Sequence, residues 1–132
     1  MAEKYMSDLD GQLTDYKIHN FDGRPRVILV CQDRFGNLRE TFYTASWQKL
    51  PVRRPGIPNA DNDIDPPPEL EEMLELSREL SQSIPFVRTD FYTINGQVYF
   101  GEYTFYPAGG FHPFIPENFD KTMGEWISLK KY

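Results

Sequence analysis

The sequence has few of the residues from which cross-links and transition-metal sites are built. Its 132 residues include one cysteine, Cys31, and two histidines, His19 and His112. A disulfide within the chain is therefore impossible. Cys31 directly follows the apolar run 27–30, which predicts a buried thiol that packs as a small hydrophobic group.

Isolated histidines are more often packed or surface residues than catalytic ones, and His112, in a glycine-proline loop, is the better candidate for acid–base chemistry.

Positive charge and long apolar runs are also scarce. The formal net charge is −6 and the isoelectric point is about 4.9. This balance argues against a general nucleic-acid-binding surface, although a locally basic site can still hold a polyphosphate. No apolar run approaches the length of a membrane span, and the first ten residues lack the apolar core of a signal peptide. We therefore expect a cytoplasmic protein with no membrane insertion and no nucleic-acid partner.

Short strands are the commonest pattern in the sequence. Aromatic residues make up 15% of the chain, a share that favours strands and a packed core. Residues 15–44 read as an antiparallel meander whose first turn is the Asp-Gly pair at 22–23. Within it, the segment 26–32 is apolar on both faces, which predicts a strand inside the sheet. A second hairpin, 87–105, turns at the Asn-Gly pair at 95–96.

Two amphipathic helices are predicted beside these strands. The first, 69–82, places one apolar set at helical spacing: Leu70, Met73, Leu74, Ser77 and Leu80. The second, 118–132, is a short amphipathic helix. This order predicts an α+β fold, an antiparallel β-sheet with two helices packed on one face. We expect a single domain at 15–132 after a flexible or truncated lead-in at 1–14.

A proline-rich loop, 51–68, interrupts this pattern and holds six of the eleven prolines. It is too long to be a simple connection in a compact domain. One interpretation is a proline-stiffened surface excursion, which we favour. The other is a flap near a functional site, with Arg53 and Arg54 available to an anion.

The second hairpin carries charges where a covered sheet should be apolar. Arg88 and Asp90 share a face of its first strand, and a salt bridge would explain both. Glu102 would remain unexplained.

The alternative is a divalent cation held by Asp90 and Glu102 with help from Thr104, because magnesium takes oxygen ligands and few protein carboxylates. A regular two-residue turn would put the two carboxylates on opposite faces, so a shared ion requires one extra residue, for which Gly101 is a plausible bulge site.

Two stretches carry a resemblance to a known family. The segments DYKIHNFDGRPRVILVCQDR and PFVRTDFYTINGQVYFGEYTFYPAGGFHPF resemble the TupA-like ATP-grasp family of bacterial cell-surface polymer biosynthesis. The resemblance runs from about Asp15 to the C-terminal helix and implies the C-terminal lobe of an ATP-grasp domain. It also implies Mg-ATP-dependent ligation through acyl-phosphate chemistry in polymer or polysaccharide biosynthesis, with ATP and magnesium as cofactors.

The same resemblance implies roles for individual residues. Arg88 matches a catalytic arginine that stabilises the acyl-phosphate transition state. The implied metal ligands are Asp90, Glu102 and Thr104, where Thr104 stands at a position often occupied by asparagine. The implied nucleotide-binding residues are Lys17 and Asp15, and the implied substrate-binding residues are Gly109, Gly110 and His112.

The chain departs from the family's pattern in one respect. ATP-grasp enzymes clamp ATP between two lobes, and the N-terminal lobe with its lysine-bearing strand is not recognisable here; nor is a Gly-Lys-Ser/Thr phosphate loop. We therefore expect activity to require a separate N-terminal lobe or a second copy of the chain. The alternative is a non-catalytic binding or assembly module that retains the fold without the chemistry. A glycosidase-like carboxylate pair is disfavoured, because nothing around the two acids indicates a sugar cleft.

Overall fold

The computed structural model describes residues 14–32 and 36–105. Within these ranges the chain forms one antiparallel sheet and one helix. The elements are β1 (Asp15–Phe21), β2 (Arg24–Gln32), β3 (Arg39–Thr44), α1 (Leu70–Leu80), β4 (Phe86–Ile94) and β5 (Gln97–Thr104). The strand order across the sheet is β3-β2-β1-β4-β5. The predicted meander and the predicted second hairpin are both confirmed.

Both hairpins turn where the dipeptide signals predicted. Asp22 and Gly23 have φ angles of 55° and 80°, and Asn95 and Gly96 have φ angles of 51° and 78°. Positive φ at both central positions is the requirement of a type I′ turn, whose twist matches that of the flanking strands. The β1–β2 and β4–β5 connections are therefore determined by local chemistry.

Strand β2 lies inside the sheet, as its apolar character on both faces predicted. Ile28 and Val30 contribute to a core cluster that also includes residues of α1, and we call this side of the sheet the helix face. Val27 and Leu29 belong to a second cluster on the opposite side, which we call the front face. Apolar side chains of β2 are therefore buried on both sides of the sheet, as expected of an interior strand.

Helix α1 is shorter than the segment predicted for it. Met73, Leu74 and Ser77 are buried against the sheet, in agreement with the predicted apolar face. Leu80, the last residue of the helix, was also expected there but is 37% exposed. The predicted second helix, 118–132, lies outside the described residues. Residues 14–32 and 36–105 form a mostly antiparallel sheet with one short helix. No helix in the described part of the chain is long and apolar enough to cross a bilayer.

The proline-rich loop 51–68 lies against the edge of β3. The main-chain N–H of Glu40 donates to the carbonyl of Pro58 at 3.1 Å, and Asn59 Nδ2 donates to the Glu40 carbonyl at 2.7 Å. These bonds satisfy main-chain groups that an edge strand would otherwise leave open for pairing. Arg54 Nε lies 3.2 Å from Glu40 Oε1, so this arginine holds the loop on the sheet. The loop therefore covers the edge of β3, a role that was not predicted from the sequence.

Candidate functional site

A row of charged side chains crosses the front face from β1 to β5. Lys17 of β1 is paired with Asp90 of β4, and Asp90 is paired with Glu102 of β5. Residues directly opposite one another in antiparallel strands point to the same face. We call Lys17, Asp90 and Glu102 the charged row. The adjacent row on the same face contains His19, Arg88 and Thr104.

Gly101 is what allows the two carboxylates to meet. Asp90 pairs with Glu102, whereas the next residue, Phe91, pairs with Phe100, so Gly101 is the extra residue of a bulge. A regular ladder would have moved Glu102 to the helix face. The position also favours glycine, because a Cβ on Gly101 would lie 2.9 Å from the Tyr92 ring. The register shift that a shared ion requires is therefore present, at the residue named from the sequence.

The Asp90 carboxylate is held by two basic side chains. Arg88 Nε donates to Asp90 Oδ1 at 2.9 Å, and Arg88 Nη2 donates to Oδ2 at 3.1 Å. Lys17 Nζ donates to the same Oδ2 at 3.0 Å. The Asp90 side chain is 7% exposed, so these charge-assisted bonds are shielded from water and fix its orientation. The salt bridge considered from the sequence is thus present together with the carboxylate pair.

The other two carboxylates are held more loosely. Asp15 Oδ2 lies 3.8 Å from Lys17 Nζ, and Glu102 Oε2 lies 3.9 Å from Arg88 Nη2. The Glu102 side chain is 67% exposed, which leaves it free to reorient toward a ligand. The group contains three carboxylates and two basic side chains, so its net charge is −1. Its members are Asp15, Asp90, Glu102, Lys17 and Arg88. The charges are thus nearly balanced.

His19 adds a neutral imidazole beside the charged row. It is buried, at 3% exposure, and pairs across the sheet with Arg88. Burial, together with the positive charge of Arg88, lowers its pKa from 6.5 to about 4. From the sequence, His19 was expected to be a packed or surface residue and not part of the site. Its position two residues after Lys17 on a strand was the available signal, because alternate residues share a face.

Cys31 lies near this site but is not a nucleophile. It is buried on β2 and is paired with Asp15 on one side and Glu40 on the other. Burial raises the pKa of the thiol, and the negative charge of Glu40 raises it further. A protonated, shielded thiol packs as a small hydrophobic group, as the sequence predicted.

The two carboxylates are compatible with magnesium if the ion brings its other oxygen ligands with it. Asp90 and Glu102 offer oxygen ligands on one face, and Mg²⁺ is usually bound by one or two carboxylates plus substrate phosphates and water. Within residues 14–32 and 36–105 no three acidic, histidine or cysteine side chains are grouped to enclose a metal. The pair therefore suits an ion that brings most of its own oxygen ligands.

The remaining predicted site residues divide into two groups. Thr104 is on the front face opposite Arg88, one row from the carboxylate pair. Gly109, Gly110 and His112 lie outside the described residues. The structure thus brings together the implied catalytic, nucleotide-binding and metal-binding residues, but it does not describe the implied substrate-binding ones.

Comparison with known proteins gives one positive result. The model of the family described as TupA-like ATPgrasp matches residues 1–128. No curated protein and no solved structure matches the chain. The family match spans every residue of the charged row, and it agrees with the resemblance carried by the two sequence segments.

Proposed function

Because the chain belongs to the TupA-like ATP-grasp family, we propose that it serves Mg-ATP-dependent ligation in the biosynthesis of a bacterial cell-surface polymer or polysaccharide. In such a reaction a carboxylate takes the terminal phosphoryl group of ATP and releases ADP, and a nucleophile then attacks the carbonyl carbon of the acyl phosphate and displaces phosphate. The cytoplasm, where ATP is supplied, is the expected compartment. The observation that supports the proposal best is the pairing of Asp90 with Glu102 across the Gly101 bulge, beside two basic side chains.

Asp90 and Glu102 are the proposed metal ligands, with different tasks. Asp90 is buried and held from two sides, so it presents its oxygens in one orientation. Glu102 is largely exposed and can adjust to the ligand. A bound magnesium ion would neutralise and orient the phosphates of the nucleotide. One rigid and one adjustable carboxylate suit an ion that arrives with its phosphate ligands already attached.

Arg88 and Lys17 are the proposed phosphate-facing cations. A guanidinium can hold two oxygens of a planar or tetrahedral anion at once, which suits stabilisation of a transferring phosphoryl group. Lys17 lies between Asp15 and Asp90, which hold its ammonium group over the front face. His19 is neutral near neutral pH because its pKa is about 4, so it adds no positive charge here.

The two positive charges of Lys17 and Arg88 are too few to neutralise a triphosphate. In phosphoryl-transfer enzymes the remaining charge is balanced by further basic groups around the phosphates. We propose that these groups come from a separate N-terminal lobe or from a second copy of the chain in a homo-oligomer. The front face of β1, β4 and β5 would then be one wall of the nucleotide site.

Calorimetric titration of the full chain with magnesium and a non-hydrolysable ATP analogue tests the proposal. We expect saturable binding that requires the metal, and a loss of about tenfold or more in affinity for Asp90→Asn, since even indirect metal partners contribute 10–100-fold. Glu79→Gln is the matched control, because Glu79 is an exposed carboxylate on α1, which packs on the helix face. Folding of each variant is checked by circular dichroism.

Two results would contradict the proposal. One is the absence of metal-dependent heat in the wild-type chain. The other is an affinity for Asp90→Asn equal to that of the wild type and of Glu79→Gln. Either result would favour the alternative of a binding or assembly module. That alternative predicts an apolar surface along the first strands, but the exposed large hydrophobic side chains of the described residues lie elsewhere, at Leu80, Phe100 and Phe105.

A further inference from the structure

Both oxygens of the Asp90 carboxylate are already bound to basic side chains. Oδ1 accepts from Arg88, and Oδ2 accepts from Arg88 and from Lys17. A metal ligand must offer a lone pair that no other cation occupies. Three of the carboxylate's about four acceptor positions are therefore taken, and both of those on Oδ2 are occupied until Lys17 leaves.

The charge balance acts against a bare cation in the same way. Asp15, Asp90 and Glu102 together carry only one more charge than Lys17 and Arg88. Mg²⁺ loses its water reluctantly and is usually bound by one or two carboxylates together with substrate phosphates, so a surplus of one carboxylate charge attracts it only weakly. The group therefore has little net attraction for a lone ion, yet it offers two cations to an incoming anion.

Lys17 is the side chain that can change partners. It holds Asp90 through one bond from a flexible stem, whereas Arg88 holds the same carboxylate through two bonds in a planar fork. Losing the Lys17 bond frees Oδ2 on one side and leaves Asp90 oriented by Arg88. The released ammonium group then lies next to the ion site, where a phosphate oxygen of the same ligand would be.

We propose that Lys17 makes this a site for a cation–polyphosphate complex and excludes the bare cation. In the ligand-free protein, the Lys17 ammonium group is hydrogen-bonded to Asp90 Oδ2. When the complex binds, Lys17 would exchange Asp90 for a phosphate oxygen, and Asp90 Oδ2 would then be available to hold the metal. The inference rests on the proposed function, because it concerns the order in which ligands enter the same site.

The test compares two titrations of the full chain. Mn²⁺ alone is titrated while free Mn²⁺ is measured by electron paramagnetic resonance, and the titration is repeated with a non-hydrolysable ATP analogue present. For Lys17→Met we expect Mn²⁺ alone to bind roughly tenfold or more tightly than to the wild type, because a unit positive charge bonded to the proposed metal ligand Asp90 is removed. The same variant should bind the Mn²⁺–nucleotide complex several-fold more weakly. Opposite changes in the two affinities would not arise from a general loss of structure.

Two further substitutions separate charge from structure. Lys17→Arg keeps the charge and should bind Mn²⁺ alone as weakly as the wild type. Lys49→Met removes an exposed lysine outside the charged row and should alter neither titration. If Lys17→Met does not fold, Lys17→Gln takes its place, because it removes the charge and keeps a polar side chain.

The proposal is overturned if Lys17→Met binds Mn²⁺ alone no more tightly than the wild type. It is also overturned if the wild type binds Mn²⁺ alone as tightly as it binds the complex. Failure of the proposed function gives a different result, in which the wild type binds no nucleotide with or without Mn²⁺. The two failures are therefore distinguishable in a single set of measurements.

Discussion

Protonation of His19 should destabilise the folded protein under mildly acidic conditions. The side chain is 3% exposed, and its pKa is lowered from 6.5 to about 4, first by burial and then by the positive charge of Arg88. Lys17 lowers it further, while a main-chain bond with Val27 and the charge of Asp90 act in the opposite direction. Between these two pKa values the unfolded chain binds a proton at this position and the folded chain does not. Stability must therefore fall as the pH is lowered through that window.

The size of the effect follows from the two pKa values. With values of 6.5 unfolded and about 4 folded, linkage gives a loss of about 2 kcal/mol between about pH 7 and about pH 5 from this residue alone. Such a loss is a substantial part of the stability of a small domain, which is typically about 5–15 kcal/mol. Below the folded pKa the contribution levels off, because both states then bind the proton.

Urea unfolding of the wild type and of His19→Gln at both pH values measures this contribution. Glutamine does not titrate, so the variant should lose about 2 kcal/mol less than the wild type on acidification. Any constant effect of the substitution cancels in the comparison. Histidine proton resonances provide a direct check, since one of the two imidazoles should titrate near 4. Equal losses in the two proteins, or an ordinary pKa for His19, would refute the reasoning.

Two other predictions concern stability. Gly101→Ala should cost about 1–3 kcal/mol, because its Cβ would lie 2.9 Å from the Tyr92 ring and something must shift; an unchanged urea midpoint would show that the ring moves at no cost. Asn20→Ala should cost about 1–3 kcal/mol, because the fully buried Asn20 Nδ2 donates to two main-chain carbonyls and to the Thr89 hydroxyl. Thermal unfolding measures the second effect, and Asn62→Ala, on the exposed surface, is its control.

Much of the fold is encoded by short-range signals. The two hairpin turns depend on Asp-Gly and Asn-Gly pairs, and the structure places both at positive φ. The apolar run of β2 predicted an interior strand because a strand buried on both faces has no polar side. The helix was recognised from its apolar spacing, but its end was not, and Leu80 is exposed where a buried residue was expected. Helix ends depend on contacts with other elements as well as on periodicity.

The site was less accessible to sequence reasoning. Arg88, Asp90 and Glu102 were recognised as unusual charges in a hairpin, and Gly101 as a plausible bulge. Lys17 entered only through a family resemblance, because it is 73 residues from Asp90 along the chain. Nothing local indicates that two such distant strands are neighbours. His19 was expected to be a packed or surface residue, although strand alternation places it on the face of Lys17.

By itself the sequence determined the strands, their tight turns and the helix, since these depend on residues within a few positions of one another. It also limited the carboxylate pair to two possible registers, one with the acids on opposite faces and one with a bulge. Only the tertiary structure decided between these registers, by aligning Asp90 with Glu102 across β4 and β5. It also decided that β1 pairs with β4, which brings Lys17 to Asp90. Strand neighbours are chosen by burial over the whole sheet, and no short stretch of the chain contains that information.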